Sequence, residues 1–155
     1  MAPFILDSNI FIRMQRMHPK DIFVQMWTQL ELSVAAGDVM TAEEVFNELD
    51  RGDDDLSEWV ENQPGLVVPF DDDCERALKA VNARCPTLVD IDSERSLGDP
   101  FVIATAMITA GTVVTTEKPR KDPVNGPMKI PDACQEMSVT CIGWFEFLRA
   151  IAWNL

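Results

Sequence analysis

The chain has 155 residues, of which 46% are hydrophobic and 25% charged, a composition typical of one globular domain with a sizeable core. Its net charge of −13 disfavours non-specific attraction to nucleic acid or to an anionic membrane. Such a charge suits a basic partner or a cluster of metal-binding carboxylates, although acids scattered over the surface would give the same total. No apolar run approaches the roughly 20 residues that span a bilayer, and the N-terminus is unlike a secretory signal, so a cytoplasmic protein without membrane contact is expected.

The cysteine and histidine content limits the kinds of metal site and catalysis that the chain can support. The four cysteines show no CxxC spacing, and His18 is the single histidine. A zinc site and His-based catalysis are therefore disfavoured, and the thiols are expected to be reduced. If the chain is an enzyme, carboxylates must do the chemistry.

Residues 4–12 are apolar except for Asp7, Ser8 and Asn9 at the centre. A short apolar run is typical of a buried strand in a parallel sheet, and ligands bind outside the carboxyl ends of such strands. We therefore predict a first strand here, with Asp7 at the functional edge of the sheet. A polar break is expected over residues 13–20.

The next segment predicts a helix that Asp21 caps and Gly37 ends. The apolar residues that recur every four positions are Ile22, Met26, Leu30 and Val34. The neighbouring aromatics are Phe23 and Trp27, for which a place in the core is favoured over a partner-binding face.

Residues 38–41 predict a second strand, after which Thr41 and Glu44 have the spacing of a capping box. Glu48 lies on the same helical face as Glu44 and has no such capping role. The acidic triplets at 53–55 and 71–73 are expected to begin helices, with a short strand at 66–68 between them.

The second half predicts a polar connection over residues 90–95 and a buried helix that begins at Asp99-Pro100 and ends at Gly111. Residues 112–116 are β-branched throughout and predict a strand that leads into Glu117.

Residues 118–131 contain four prolines and an Asn-Gly pair, which predicts a loop. Its basic residues could hold phosphate beside a metal, or could serve solubility alone; they are Lys118, Arg120, Lys121 and Lys129. A helical turn at Pro131-Asp132, a strand at 138–142 and a terminal helix follow. The whole chain, 1–155, is predicted to be a single three-layer α/β/α domain with a mainly parallel central sheet.

Four acids stand out by position: Asp7, Glu48, Asp99 and Glu117. Hard cations such as Mg²⁺ prefer oxygen ligands, and bound metal can promote phosphoryl displacement. Taken jointly, these acids predict a divalent-metal site.

The chain resembles the PIN-domain ribonucleases, the group that includes VapC-type toxins. The resemblance rests on residues 6–9 (LDSN), Glu48-Leu49 in a helix, residues 98–104 (GDPFVIA) and residues 113–117 (VVTTE), which occur in the family's order and span most of the chain. Residues 129–134 (KIPDAC) are also similar to a subgroup of uncharacterised PIN-like proteins.

This resemblance implies Mg²⁺- or Mn²⁺-dependent hydrolysis of RNA, with the four acids binding metal directly or through water. Asn9 and Thr115 would orient those ligands by hydrogen bonds. Glu117 replaces the family's more usual Asp, so Asp132 or Glu44 could share the role of fourth ligand. The family also implies a homodimer and, for toxin members, an antitoxin protein.

One other function competes with a toxin-like endoribonuclease, and two more lack a residue or motif that they need. A non-catalytic PIN-like scaffold that binds RNA or protein would account for the Glu117 departure. A phosphotransferase with Asp7 as nucleophile would need an Asp where Asn9 stands, and a nucleotide-binding fold would need a glycine-rich loop.

Overall fold

The computed structural model describes residues 2–52, 54–89 and 97–155. In these residues the core is a five-stranded, all-parallel sheet with the strand order β3-β2-β1-β4-β5. The strands are β1 (Phe4–Leu6), β2 (Val39–Ala42), β3 (Val67–Val68), β4 (Thr112–Val114) and β5 (Cys141–Ile142). Helices flank the sheet, which confirms the predicted three-layer α/β fold.

The helices alternate with the strands along most of the chain. They are α1 (Ser8–Met17), α2 (Val24–Ala35), α3 (Glu43–Gly52), α4 (Asp54–Glu61), α5 (Asp72–Arg84), α6 (Asp99–Thr109), α7 (Ile130–Glu136) and α8 (Trp144–Ile151). Helix α6, which is predicted to be buried, packs against α5 and three strands, and its Val102, Ile103 and Ala104 are buried.

The strand order places a topological switch point between β1 and β4. The chain runs from β1 through β2 to β3 at one edge, then returns to the other side of β1 to form β4 and β5. In parallel sheets the connections on either side of such a point diverge and leave a crevice at the carboxyl ends of the strands. Asp7 directly follows β1, and Thr115 directly follows β4, so both lie at this crevice.

The predicted first strand is present with Asp7 at its carboxyl end, but it does not continue to residue 12. Strand β1 ends at Leu6, and Asp7 is the N-cap of α1, where its side chain accepts a hydrogen bond from the Ser8 backbone N–H at 2.7 Å. Helix α1 also fills most of the segment expected to be a polar break. Ile10, Phe11 and Met14 are fully buried at helical spacing, and burying this face stabilises the helix.

Two further expectations in this half are corrected. Helix α2 begins at Val24 with Phe23 as its N-cap, so Asp21 does not cap it. Thr41 belongs to β2, and its hydroxyl donates to the Leu6 carbonyl at 2.6 Å instead of forming a capping box. This bond ties β2 to the end of β1.

The predictions for the two aromatics and for Gly37 have mixed outcomes. Trp27 is buried, as expected, whereas 39% of Phe23 is exposed. Gly37 has φ of +79° after α2, which confirms the predicted left-handed stop.

In the second half, Asp71 caps α5 and Asp54 begins α4, as predicted for the acidic triplets. Asp53 and the polar connection predicted over residues 90–95 lie outside the described residues. Strand β4 ends at Val114, so Glu117 lies three residues beyond the strand. In the described ranges no helix is long and apolar enough to cross a membrane.

Candidate active site

Asp7 lies at the base of the crevice, where 3% of the residue is exposed. One carboxylate oxygen accepts the Ser8 N–H, and the other accepts the Thr115 hydroxyl at 3.0 Å. The Asn9 amide donates to the Thr115 oxygen at 3.3 Å, and its own carbonyl oxygen accepts the Thr116 N–H at 3.2 Å. These bonds fix the orientation of the Asp7 carboxylate from both α1 and the end of β4.

The Asp7 carboxyl group is held in an environment that disfavours its charge. Burial, and then the negative charge of Glu117, raise its pKa from 3.8 to about 7, with a smaller contribution from Glu48. The hydrogen bonds from Thr115 and Ser8 act in the opposite direction but do not cancel this effect.

Asp99 is the first residue of α6, with Gly98 as N-cap and Pro100 in the first turn. Burial, followed by the charges of Asp7, Glu117 and Glu48, raises the pKa of Asp99 to about 9. Each of these acids thus lies close enough to Asp99 to perturb its ionisation. Asp99 therefore interacts electrostatically with Asp7, Glu48 and Glu117, and we call these four residues the acidic cluster.

Glu48 reaches this cluster from α3. Burial is the largest cause of its raised pKa, and the Ser8 hydroxyl and Gly98 backbone partly offset that rise. Its Oε1 atom is buried without a hydrogen-bond partner in the described part of the chain. A Cβ atom on residue 98 would overlap this same oxygen, so glycine at that position leaves room for the carboxylate.

Glu117 extends from the segment after β4 and accepts a hydrogen bond from the Ile130 N–H at 2.9 Å. Its own N–H donates to the Thr115 hydroxyl oxygen at 3.2 Å. The residue therefore connects the end of β4 with the start of α7, while its charge still acts on Asp7 and Asp99.

The two alternative ligands have other partners. Asp132 accepts the N–H groups of Arg120 and Lys129 at 3.0 and 2.8 Å, which closes the basic loop. Glu44 accepts from the Asn47 amide at 3.1 Å, and its carboxylate lies 3.6 Å from the Arg51 guanidinium. Of the two, Glu44 is the one whose charge raises the pKa of Glu48.

The predicted RNA-binding residues are distributed over the loop between β4 and α7. Burial raises the pKa of Asp99, and the Lys129 charge partly opposes that rise, so this side chain is near the acids. Arg120 donates to the Gly126 carbonyl at 3.0 Å and contacts Asp132, so its side chain is bound within the loop itself. Lys118 lines a cavity on the other side of Thr115, and Lys121 is exposed.

The donor set suits a hard divalent cation, because it consists of carboxylates and includes a buried oxygen without a partner among the described residues. Within residues 2–52, 54–89 and 97–155, however, no three acidic, His or Cys side chains are grouped so as to hold an ion together. Mg²⁺ usually binds through one or two carboxylates and keeps several waters. The donor chemistry of the acids therefore suits such an ion, while the described residues contain no group of three that could bind it directly.

Two residues of the site are not identified by sequence reasoning. Ser8 contacts both Asp7 and Glu48, and Gly98 makes room for Glu48. In the sequence both stand out only as neighbours of acids. A Gly directly before an Asp-Pro helix start is a signal that could identify the second.

Fold and site together define a parallel α/β domain with a cluster of acids at the switch point of its sheet. The fold is similar to that of FitAcB from Neisseria gonorrhoeae, with 18% identity, a TM-score of 0.55, and coverage of 90% of this chain and 96% of the other. It is also similar to VapBC2 from Rickettsia felis, solved with a DNA fragment from the promoter, with 14% identity, a TM-score of 0.52, and coverage of 91% and 98%.

Residues 4–155 match the family described as a domain of unknown function, DUF4411, and the chain belongs to that family. A comparison with curated proteins found no match.

Proposed function

We propose that this protein is a Mg²⁺- or Mn²⁺-dependent endoribonuclease and the toxin of a toxin–antitoxin pair. The observation that supports this most directly is the environment of Asp99, where burial and then the charges of Asp7, Glu117 and Glu48 raise the pKa to about 9. Charge concentrated in this way is costly in a metal-free protein and is relieved by a bound cation.

In this proposal Asp7 and Asp99 would hold the ion, and Glu48 and Glu117 would bind it directly or through water. A bound divalent ion would polarise the phosphodiester and lower the pKa of an attacking water. Asn9 and Thr115 hold the Asp7 carboxylate in one orientation through the hydrogen bonds described above. Because Asp7 and Asp99 have raised pKa values, loading the site releases protons.

The direct test compares RNA cleavage by the wild type, Asp7→Asn and Glu58→Gln in the presence of Mn²⁺. Glu58 is an exposed acid on α4, away from the site, so its substitution controls for the loss of one negative charge. Asp7→Asn is expected to lower cleavage by more than about 100-fold, the upper end of what losing a supporting residue costs. Circular dichroism checks that the variant is folded, and undiminished cleavage by that folded variant would overturn the proposal.

A non-catalytic scaffold is the second candidate, and the lack of a ready-made group of three ligands in the described residues favours it. Calorimetric titration with Mn²⁺ separates the two functions. A nuclease should show saturable binding that Asp7→Asn weakens, whereas a scaffold without a site should show none.

The antitoxin and homodimer are proposed on the VapC-like resemblance and on exposed apolar surface. Ile22 is 70% exposed and Val24 58% exposed, and both line an apolar cavity between the start of α2 and the C-terminal residue Leu155. Soluble monomers seldom leave such residues clustered in water. Light scattering of the purified chain would measure the oligomeric state, for which a dimer is expected.

A further inference from the structure

A second cavity opens at the carboxyl edge of the sheet, beside the acidic cluster. It has a volume of about 410 Å³ and lies between the segments that follow β4 and β5 and the helix α1. We call it the basic pocket, because three cationic side chains line it: Arg13, Lys118 and Arg149.

These cations differ from many others in the chain because no carboxylate of the described residues forms an ion pair with them. Among the described Lys and Arg residues, six form ion pairs: Lys20, Arg51, Arg76, Lys79, Arg84 and Arg120. The other six described cations form none within the same ranges: Arg13, Arg16, Lys118, Lys121, Lys129 and Arg149. Half of these unpaired cations thus line one cavity, in a protein whose net charge is −13.

Arg13 gives an independent indication that the pocket takes a ligand. Its Nε atom is buried and has no hydrogen-bond partner in the described part of the chain. A buried donor without a partner is unfavourable, and an acceptor in the pocket would satisfy it. A phosphate oxygen is an acceptor that pairs well with guanidinium groups.

The rim of the pocket adds an aromatic surface. Phe145 lines it with 62% of the residue exposed, and Trp144 lies beneath on the same helix end. Glu146 is the one acid among the described lining residues, and its carboxylate accepts the Gly143 N–H at 3.4 Å. Unpaired cations beside an exposed ring are the combination that binds the backbone and bases of single-stranded nucleic acid.

The basic pocket and the acidic cluster share a wall. Thr115 lines the pocket, and its hydroxyl donates to Asp7 on the other side. A strand that places one phosphate among the acids can therefore place a neighbouring phosphate among the cations.

We propose that the basic pocket binds a backbone phosphate of single-stranded RNA next to the scissile bond, with the adjacent base stacked on Phe145. This inference rests on the proposed ribonuclease function and adds its substrate subsite. It moves the main RNA contacts from the 118–131 loop to Arg13, Lys118 and Arg149, so that only Lys118 is common to both sets.

The test measures binding of a short, labelled, single-stranded RNA by fluorescence anisotropy in EDTA, which prevents metal-dependent cleavage. The double variant Lys118→Gln/Arg149→Gln is expected to raise Kd at least about 10-fold and to reduce the slope of log K against log salt by about 0.7 for each phosphate that the variant no longer binds. Phe145→Ala should raise Kd about fivefold or more and leave the salt slope unchanged. The control for loss of a positive charge elsewhere is Arg16→Gln, an exposed cation on α1 that does not line the pocket, which should change neither quantity.

Wild-type affinity in the double variant, or an equal loss in Arg16→Gln, would overturn the inference. So would a wild type that binds an acidic peptide but no RNA, since the pocket would then serve a protein partner. If the wild type binds RNA through the pocket but does not cleave it with Mn²⁺, the proposed nuclease function is refuted while the proposed RNA-binding pocket stands. If RNA cleavage depends on Asp7 but the double variant leaves its KM unchanged, the proposed RNA subsite is refuted while the proposed nuclease function stands.

Discussion

Replacing Asp7 by Asn should change how the stability of the metal-free protein depends on pH. In the unfolded chain this carboxyl group ionises near pH 3.8, whereas in the folded protein its pKa is about 7. Between these values the folded state binds more protons than the unfolded state. The free energy of unfolding of the wild type must therefore fall as pH rises through this window.

The size of the effect follows from the shift. Each pKa unit corresponds to about 1.4 kcal/mol, so a rise from 3.8 to about 7 amounts to roughly 4 kcal/mol of stability that is present below pH 4 and lost above pH 7. Asparagine has no proton to lose and escapes this penalty. Between pH 5 and pH 8 the wild type should lose roughly 3 kcal/mol relative to Asp7→Asn.

Urea unfolding in EDTA at a series of pH values measures this difference directly. Any constant cost of fitting Asn beside Ser8 and Thr115 cancels, because the comparison is between pH values and not between proteins at one pH. Glu58→Gln should follow the wild type at every pH, since its carboxylate is exposed. Saturating Mn²⁺ should remove the loss in the wild type, because a bound cation favours the ionised acids.

A stability difference that stays constant from pH 5 to pH 8 would refute this reasoning. It would mean that Asp7 is ionised in the folded protein across the whole range, with its charge compensated. A wild type that gains stability relative to the variant as pH rises would refute it more strongly, since the sign of the shift would then be wrong.

Three further substitutions test residues around the acidic side chains of the site. Thr115→Val removes the hydroxyl that donates to Asp7, and because the side chain is buried it should lower the free energy of unfolding by about 1–3 kcal/mol in urea unfolding. Gly98→Ala should leave the fold intact, since φ of −77° suits alanine, but should displace the Glu48 carboxylate and weaken Mn²⁺ binding in calorimetric titration. Asp132→Asn should destabilise the basic loop by about 1–2 kcal/mol and leave Mn²⁺ affinity unchanged; a lost affinity would show that Asp132 is a ligand.

The sequence alone determined the elements whose signals are local. The apolar runs at residues 4–6 and 112–114 are strands, Gly37 has positive φ, and Asp71 caps α5. It also determined the fold class, since alternating strand and helix signals lead to a parallel sheet with helices on both faces. It could not assign residues 8–12 correctly, because a run of apolar residues fits a strand or a buried helix equally well.

The tertiary structure decided which distant residues come into contact. The order β3-β2-β1-β4-β5 makes β1 and β4 neighbours, and this pairing brings the Thr115 hydroxyl to Asp7 across 108 positions of sequence. The pairings of β4 with β1 and with β5 gather Arg13, Lys118 and Arg149 around one cavity, although they come from three distant segments. The crossover between strands is set by packing of whole elements, so local patterns alone could not reveal these contacts. The role of Thr115 beside the acids was expected only from the resemblance to PIN-domain ribonucleases.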